Sequence, residues 1–165
     1  MEPITEADYQ RALGECPYYA GRWGYYRLAL GFAGSPPSVL ELGPHWLPLF
    51  PGGDTMDLDA VLSPTYRHDA RVTPWPVESG RYDLFIGLQV WEHLGASQAD
   101  AFREVMRIAR RAVLSFPWEW DCPTDPVHHG VNAAVMARWT CGVPVAGRAL
   151  SPDGARLVCY WEFGG

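Results

Sequence analysis

The chain has 165 residues, 48% of them hydrophobic and 19% charged, which is one domain's worth of material with enough apolar content for a core. Its 13 basic and 19 acidic residues leave a formal charge of −6, opposite in sign to the basic footprint that nucleic-acid binding normally requires. Every basic residue is an arginine, and the absence of lysine excludes Schiff-base chemistry, Ser-Lys dyads and lysine-dependent phosphate loops.

No apolar run approaches the ~18 residues of a membrane span. The first 15 residues are acidic and contain no apolar signal-peptide region. Cys16, Cys122, Cys141 and Cys159 form no C-x-x-C pair. A cytoplasmic protein with reduced thiols is therefore expected.

Residues 1–34 read as a helical cap and 36–165 as an α/β core, together one domain. Thr5 and Asp8 form a capping-box pattern ahead of Tyr9, Ala12 and Leu13, and Pro17 ends that helix. A second helix is predicted from near Ala20, with Trp23, Tyr26, Leu30 and Ala33 on one face. Five strand candidates follow, at residues 38–43, 54–59, 65–69, 82–88 and 112–117. Between the last two lies an amphipathic helix with Ser97 as its cap, Phe102, Val105, Met106 and Ala109 on its apolar face, and Arg107, Arg110 and Arg111 in its last turns. Strand, helix, strand in that order implies a right-handed parallel crossover. A further helix is predicted over 131–140. Strands at 143–150 and 155–163, joined by Ser151-Pro152-Asp153-Gly154, make a closing hairpin. The expected class is α/β, a Rossmann-like, mostly parallel sheet ending in an antiparallel hairpin, with the N-terminal helices packed on it.

Ligands of open α/β sheets sit beyond the carboxyl ends of the strands, and polar groups recur there. Glu41, Gly43, Pro44 and His45 follow the first strand, Asp57 and Asp59 the second, Asp69 and Ala70 the third. Gln89, Val90, Trp91, Glu92 and His93 follow the fourth, and Trp118, Glu119 and Trp120 the fifth. A carboxylate ending the second strand suits a ribose diol, a third-strand Asp can accept from an exocyclic adenine amine, and a glycine after the first strand permits close approach to the backbone.

These residues carry a resemblance. Val39-Leu40-Glu41-Leu42-Gly43-Pro44 resembles motif I of class I S-adenosylmethionine-dependent methyltransferases, Met56-Asp57-Leu58-Asp59 their acidic second-strand motif, and His68-Asp69-Ala70 their third. Tyr82-Asp83-Leu84 through Gln89-Val90-Trp91-Glu92-His93-Leu94 resembles the fourth and most specific motif. The resemblance implies S-adenosylmethionine as cofactor, with Glu41, Gly43, Pro44 and His45 near its methionine part. It implies Asp57 on the ribose, Leu58 against the adenine, Asp69 and Ala70 at the adenine amine, and Gln89 near the methyl donor.

The chain departs from the family in two places. Motif I continues as Gly43-Pro44-His45-Trp46-Leu47, bulkier than a glycine-rich turn, and only ten residues separate Gly43 from Asp54, too few for a crossover helix. A short branch of the family with lost crossover helices is the closer likeness.

His93, His128 and His129 are candidate general bases, each weighed against a packing or exposed-loop role. Trp91, Trp118 and Trp120 are candidates for a flat-substrate platform, and Trp23, Tyr25 and Tyr26 for a lid, each weighed against core packing. Adjacent histidines with no third ligand nearby make a poor metal site, so no metal is expected. The resemblance implies methyl transfer to an oxygen or nitrogen of a small molecule; the acidic charge argues against a nucleic-acid partner, the lack of a long apolar run against a membrane partner, and exposed tryptophans on a short core suggest a homodimer. The alternative is a non-catalytic binding protein that keeps the fold with a degenerate cofactor motif.

Overall fold

The computed structural model describes residues 1–120 and 125–164. Two helices, α1 (Glu6–Glu15) and α2 (Trp23–Ala33), precede the strands β1 (Val39–Leu42), β2 (Asp54–Asp57), β3 (Tyr66–Arg67) and β4 (Tyr82–Leu88). Helix α3 (Gln98–Ile108) leads into β5 (Ala109–Pro117), α4 (Ala133–Trp139) follows, and β6 (Gly147–Leu150) and β7 (Arg156–Glu162) close the chain. The strands form one sheet in the order β3-β2-β1-β4-β5-β7-β6. Pairing is parallel from β3 to β5, and β7 is antiparallel to both β5 and β6. This is the mostly parallel, hairpin-terminated sheet that the sequence implies.

Side chains alternate across a strand, and both faces of this sheet are buried. Leu40, Leu42, Phe85, Leu114 and Cys159 face Phe102 and Val105 of α3 and Met136 of α4. Their neighbours Val39, Leu84, Ile86, Val113 and Val158 face Tyr25, Tyr26, Ala29 and Ala33 of α2. Each such aliphatic or aromatic side chain contributes about 1.5–3 kcal/mol on leaving water.

The capping box of α1 forms as expected: the Asp8 peptide N–H donates to Thr5 Oγ1 at 3.3 Å, and the Thr5 N–H to Asp8 Oδ2 at 2.8 Å. Helix α2 begins at Trp23, later than expected, because Pro17–Tyr19 makes a separate 3₁₀ turn. Gly24 lets α2 lie against the closing hairpin, since a Cβ there would sit 3.1 Å from the Pro152 ring. That hairpin turns where predicted, with the Gly154 N–H donating to the Ser151 carbonyl at 2.9 Å.

Among the described residues, α3 is the only helix joining two parallel strands. From β1 to β2 the chain drops Leu49 and Phe50 into the core instead. From β2 to β3 it makes one 3₁₀ turn, Ala60–Leu62, capped by Asp59, whose Oδ1 accepts the Val61 N–H at 2.9 Å. From β3 to β4 it buries Trp75 and Val77. Glu104 and Arg107 of α3 hold that last segment. Glu104 Oε2 accepts the Trp75 N–H at 2.7 Å, and Arg107 donates to the Val77 and Trp75 carbonyls at 2.7 and 3.2 Å.

Two local expectations are corrected. Ser97 caps nothing with its side chain, because a 3₁₀ stretch, Trp91–Ser97, runs into α3 ahead of it. Arg110 and Arg111 belong to β5, because strand pairing with β4 begins at Ala109, and Arg111 is bound to Asp83. Cys16, Cys141 and Cys159 are free thiols, and Cys122 lies outside the described residues. No helix of the described chain is long and apolar enough to cross a membrane.

Candidate functional site

The carboxyl edge of the sheet carries three adjoining recesses. The central one, about 290 Å³, is lined by Leu42 and Gly43 from β1, Asp57 and Leu58 from β2, and His68 through Arg71 from β3. Val90, His93 and Leu94 complete it from β4. Asp57 also lines a recess of about 260 Å³ with Pro44, His45 and Trp46. On the other side, His93 joins a recess of about 280 Å³ formed by Tyr18, Arg22, Gln89, Trp120, Asp125, His128 and Arg156.

Three strand ends therefore bring Gly43, Asp57, Leu58, Asp69 and Ala70 to one cleft, and their local chemistry differs. Asp57 Oδ1 accepts the Asp59 N–H at 2.9 Å, and Oδ2 has no hydrogen-bond donor among the described residues. Leu58 is 57% exposed, an apolar surface open on the cleft. Asp69 is clamped by Arg71, whose Nε and Nη2 donate to Oδ1 and Oδ2 at 2.9 and 2.7 Å, and this guanidinium lowers the carboxyl pKa to about 2. The Ala70 carbonyl accepts the Trp75 indole N–H at 3.0 Å. Gly43 has a φ of +62°, and a Cβ there would lie 2.9 Å from Val90 Cγ2. The space above this glycine is thus taken by a protein side chain.

The remaining cofactor candidates lie apart from that cleft. Glu41 is buried on the α2 side of the sheet, its Oε2 accepting the Leu49 N–H at 2.7 Å, and it lines none of the three recesses. His45 is drawn toward the N-terminal segment, with Nδ1 3.0 Å from the Tyr19 hydroxyl and its ring stacked on Tyr18 at 4.4 Å. Pro44 lines the recess beside it. Gln89 has a φ of +54° and is held by Ser115 of β5, whose Oγ accepts its peptide and side-chain N–H groups at 3.0 and 3.1 Å. A non-glycine residue in this left-handed conformation costs ~1–3 kcal/mol and is concentrated at functional sites.

The aromatic expectations need correction. Trp91 is fully buried, edge-on to Phe85 and Phe102, so it belongs to the core and not to a substrate platform. Tyr25 and Tyr26 are buried between α2 and the sheet and form no lid. Trp118 packs against the core on the α3 side. Trp120 lines the third recess, stacked on His128 at 5.1 Å with Arg156 4.8 Å from its ring. His93 and His128 meet there, ring centroids 5.8 Å apart, while His129 lies on the exposed loop after the Pro126–His128 turn.

Sequence reading missed Tyr18, Arg22, Asp125 and Arg156 of this recess. Arg22 and Tyr18 come from the N-terminal segment, where nothing in the local pattern marks them. Arg156 arrives because antiparallel β7 starts at the same edge at which β5 ends. Glu92 was visible beside His93. Its carboxyl is sealed from solvent, neither oxygen has a hydrogen-bond partner, and burial raises its pKa to about 8. Burial acts on His128 in the opposite sense, lowering its pKa below the ordinary histidine value.

No protein-family model matches the chain, and no curated protein matches it by sequence. Solved structures do match in three dimensions. The 16S rRNA methylase RmtB superposes with a TM-score of 0.65 at 15% identity, over 99% of this chain and 77% of its own. An S-adenosylmethionine-dependent methyltransferase from Aquifex aeolicus superposes at 0.55 and 10% identity, over 77% and 82%. The chain has the class I methyltransferase fold. A chain from the complex of the Haloferax volcanii Trm112 methyltransferase activator with a methyltransferase partner matches at 0.64 and 12% identity, over 99% and 100%. These neighbours overturn the expectation that a nucleic-acid partner is excluded. The methyltransferase fold serves a ribosomal RNA methylase and occurs in a complex with a protein activator, so the fold by itself does not exclude such partners.

Proposed function

We propose that this protein binds S-adenosylmethionine at the carboxyl edge of its sheet and transfers the methyl group to an oxygen or nitrogen nucleophile. The observation that carries this reading is the convergence of Gly43, Asp57, Leu58, Asp69 and Ala70, from three separate strand ends, on one cleft. The residues present fit the adenosine half of the cofactor. Asp57 keeps one carboxylate oxygen for a ribose hydroxyl, and exposed Leu58 offers an apolar shelf for a purine. The methionine half would extend toward Gln89 and the recess holding Arg22, a cation suited to a carboxylate.

When bound, the cofactor supplies an electrophilic methyl on a sulfonium. The chain's own task is to hold the acceptor in line with it and to keep water out. Gln89, Trp120, His93 and His128 border the space through which an acceptor would approach.

A second reading, a binding protein without turnover, is favoured by Val90 lying over Gly43 and by the bulk of His45 and Trp46. Isothermal titration with S-adenosylmethionine tests the first. Micromolar binding is expected, and no heat at millimolar ligand would sink it. Binding with no methyl transfer to any acceptor offered supports the second.

A further inference from the structure

Glu92 is a carboxylate with 0% of its side chain exposed and no hydrogen-bond donor on either oxygen. A buried carboxyl group with no hydrogen-bond partner on either oxygen is rare in folded chains and calls for an explanation. What faces it is two imidazoles. Glu92 Oε1 lies 3.8 Å from His128 Nε2 and 4.0 Å from His93 Nε2. One ligand atom from each of the three residues falls within 4.8 Å of the others.

We propose that Glu92, His93 and His128 form a binding site for a divalent transition cation of the zinc class. A point equidistant from three atoms so spaced lies roughly 2.5 Å from each, a few tenths of an ångström beyond zinc–nitrogen and zinc–carboxylate bonds of ~2.0–2.2 Å. Small rotamer adjustments of the exposed His93 close that gap. Two imidazoles and one carboxylate are a donor set that takes zinc and leaves a coordination position open.

The surrounding charge is mixed. Arg22 and Arg156 line the recess and oppose a cation, but Arg156 is paired with Asp153 at 2.6 Å, and Asp125 places a carboxylate 4.0 Å from His128 Nε2. The sheet explains why the three ligands meet. Glu92 and His93 follow β4, His128 follows β5, and these strands are parallel neighbours whose ends emerge side by side. His93 and His128 line the recess where an acceptor would arrive, so a cation held there would bind an acceptor oxygen and favour its deprotonation. That role rests on the methyl-transfer reading; the cation site itself does not.

The test is calorimetric titration of zinc chloride into chelator-treated full-length protein with no S-adenosylmethionine present. One zinc per chain at micromolar affinity or tighter is expected. Glu92→Gln and His93→Ala should each weaken it by about tenfold or more, while His68→Ala should leave it unchanged. No binding at millimolar zinc, or equal binding by wild type and both variants, would overturn the site. Glu92→Gln preserves side-chain volume. Should that variant fold poorly by circular dichroism, His93→Ala, altered at an exposed position, decides alone. Zinc and cofactor titrations are separate measurements, so failure of one reading is distinguishable from failure of the other.

Discussion

The Glu41 carboxylate, sealed beneath the first strand, accepts the Leu49 peptide N–H at 2.7 Å. That contact fastens β1 to the helix-free connection that follows it. Burial raises the Glu41 pKa to about 8 from an ordinary 4.5. Between those values the folded chain binds more protons here than the unfolded chain, so this contribution to stability is full below about pH 4.5 and is lost as pH rises through about 8. Glu41→Gln should flatten that part of the profile. Urea unfolding at about pH 5 and about pH 9 measures it. The drop in wild-type stability should exceed the variant's by an amount on the order of a few kcal/mol, and parallel profiles would refute the assignment.

Arg107 ties the segment between β3 and β4 to α3 through two carbonyls and the Glu104 carboxylate. Arg107→Ala should destabilise the fold by roughly 2 kcal/mol, since half-buried hydrogen bonds to a charged group are lost and Glu104 keeps only its Trp75 partner. Chemical denaturation reads the loss. Trp75, buried against Phe85, reports loosening of the segment by its fluorescence.

Gly43→Ala meets two obstacles, the positive φ and Val90. A cost of about 1–2 kcal/mol is expected from the backbone alone, with more from the clash. Pairing it with Val90→Ala should restore the steric part and leave the backbone part. A double variant no more stable than Gly43→Ala would show that the close contact with Val90 is not what the glycine serves.

Asp57→Asn should weaken S-adenosylmethionine binding by about tenfold, the worth of one hydrogen bond to a charged group. Unfolding stability should stay within about 0.5 kcal/mol, since one carboxylate oxygen has no protein partner. Leu58→Ser should weaken binding without unfolding the chain, because Leu58 is mostly exposed. Calorimetry on both variants, beside urea curves, separates ligand contact from scaffold.

The strands and their mostly parallel class were legible because the apolar runs are short and closed by glycine, proline or acid. The missing crossovers were legible too, since ten residues from Gly43 to Asp54 leave no room for a helix. What the sequence hid was sidedness. Glu41 and Leu42 are neighbours in the chain, yet one faces α2 and the other the α3 layer, and motif position alone does not reveal that Glu41 points away from the cleft. Trp91 follows the fourth strand as the motif suggests, but the 3₁₀ stretch turns its ring into the core and leaves His93 outside. The approach of Glu92 to His128 required knowing that β4 and β5 end together, a contact across 36 positions of sequence.

The one crossover helix has a consequence for how the molecule opens. Strands β4, β5 and β7 lie between α2 on one face and α3 on the other, whereas β2 and β3 are short and their connections carry a single 3₁₀ turn and irregular chain. Amide exchange should divide the sheet accordingly, with the central strands exchanging only on global unfolding and the β2–β3 edge through cheaper local excursions. The cleft of Asp57, Leu58 and Asp69 sits on that cheaper unit. Ligand capture and local ordering would then be one event, and occupancy would show as slowed exchange along an edge that the scaffold alone leaves only loosely protected.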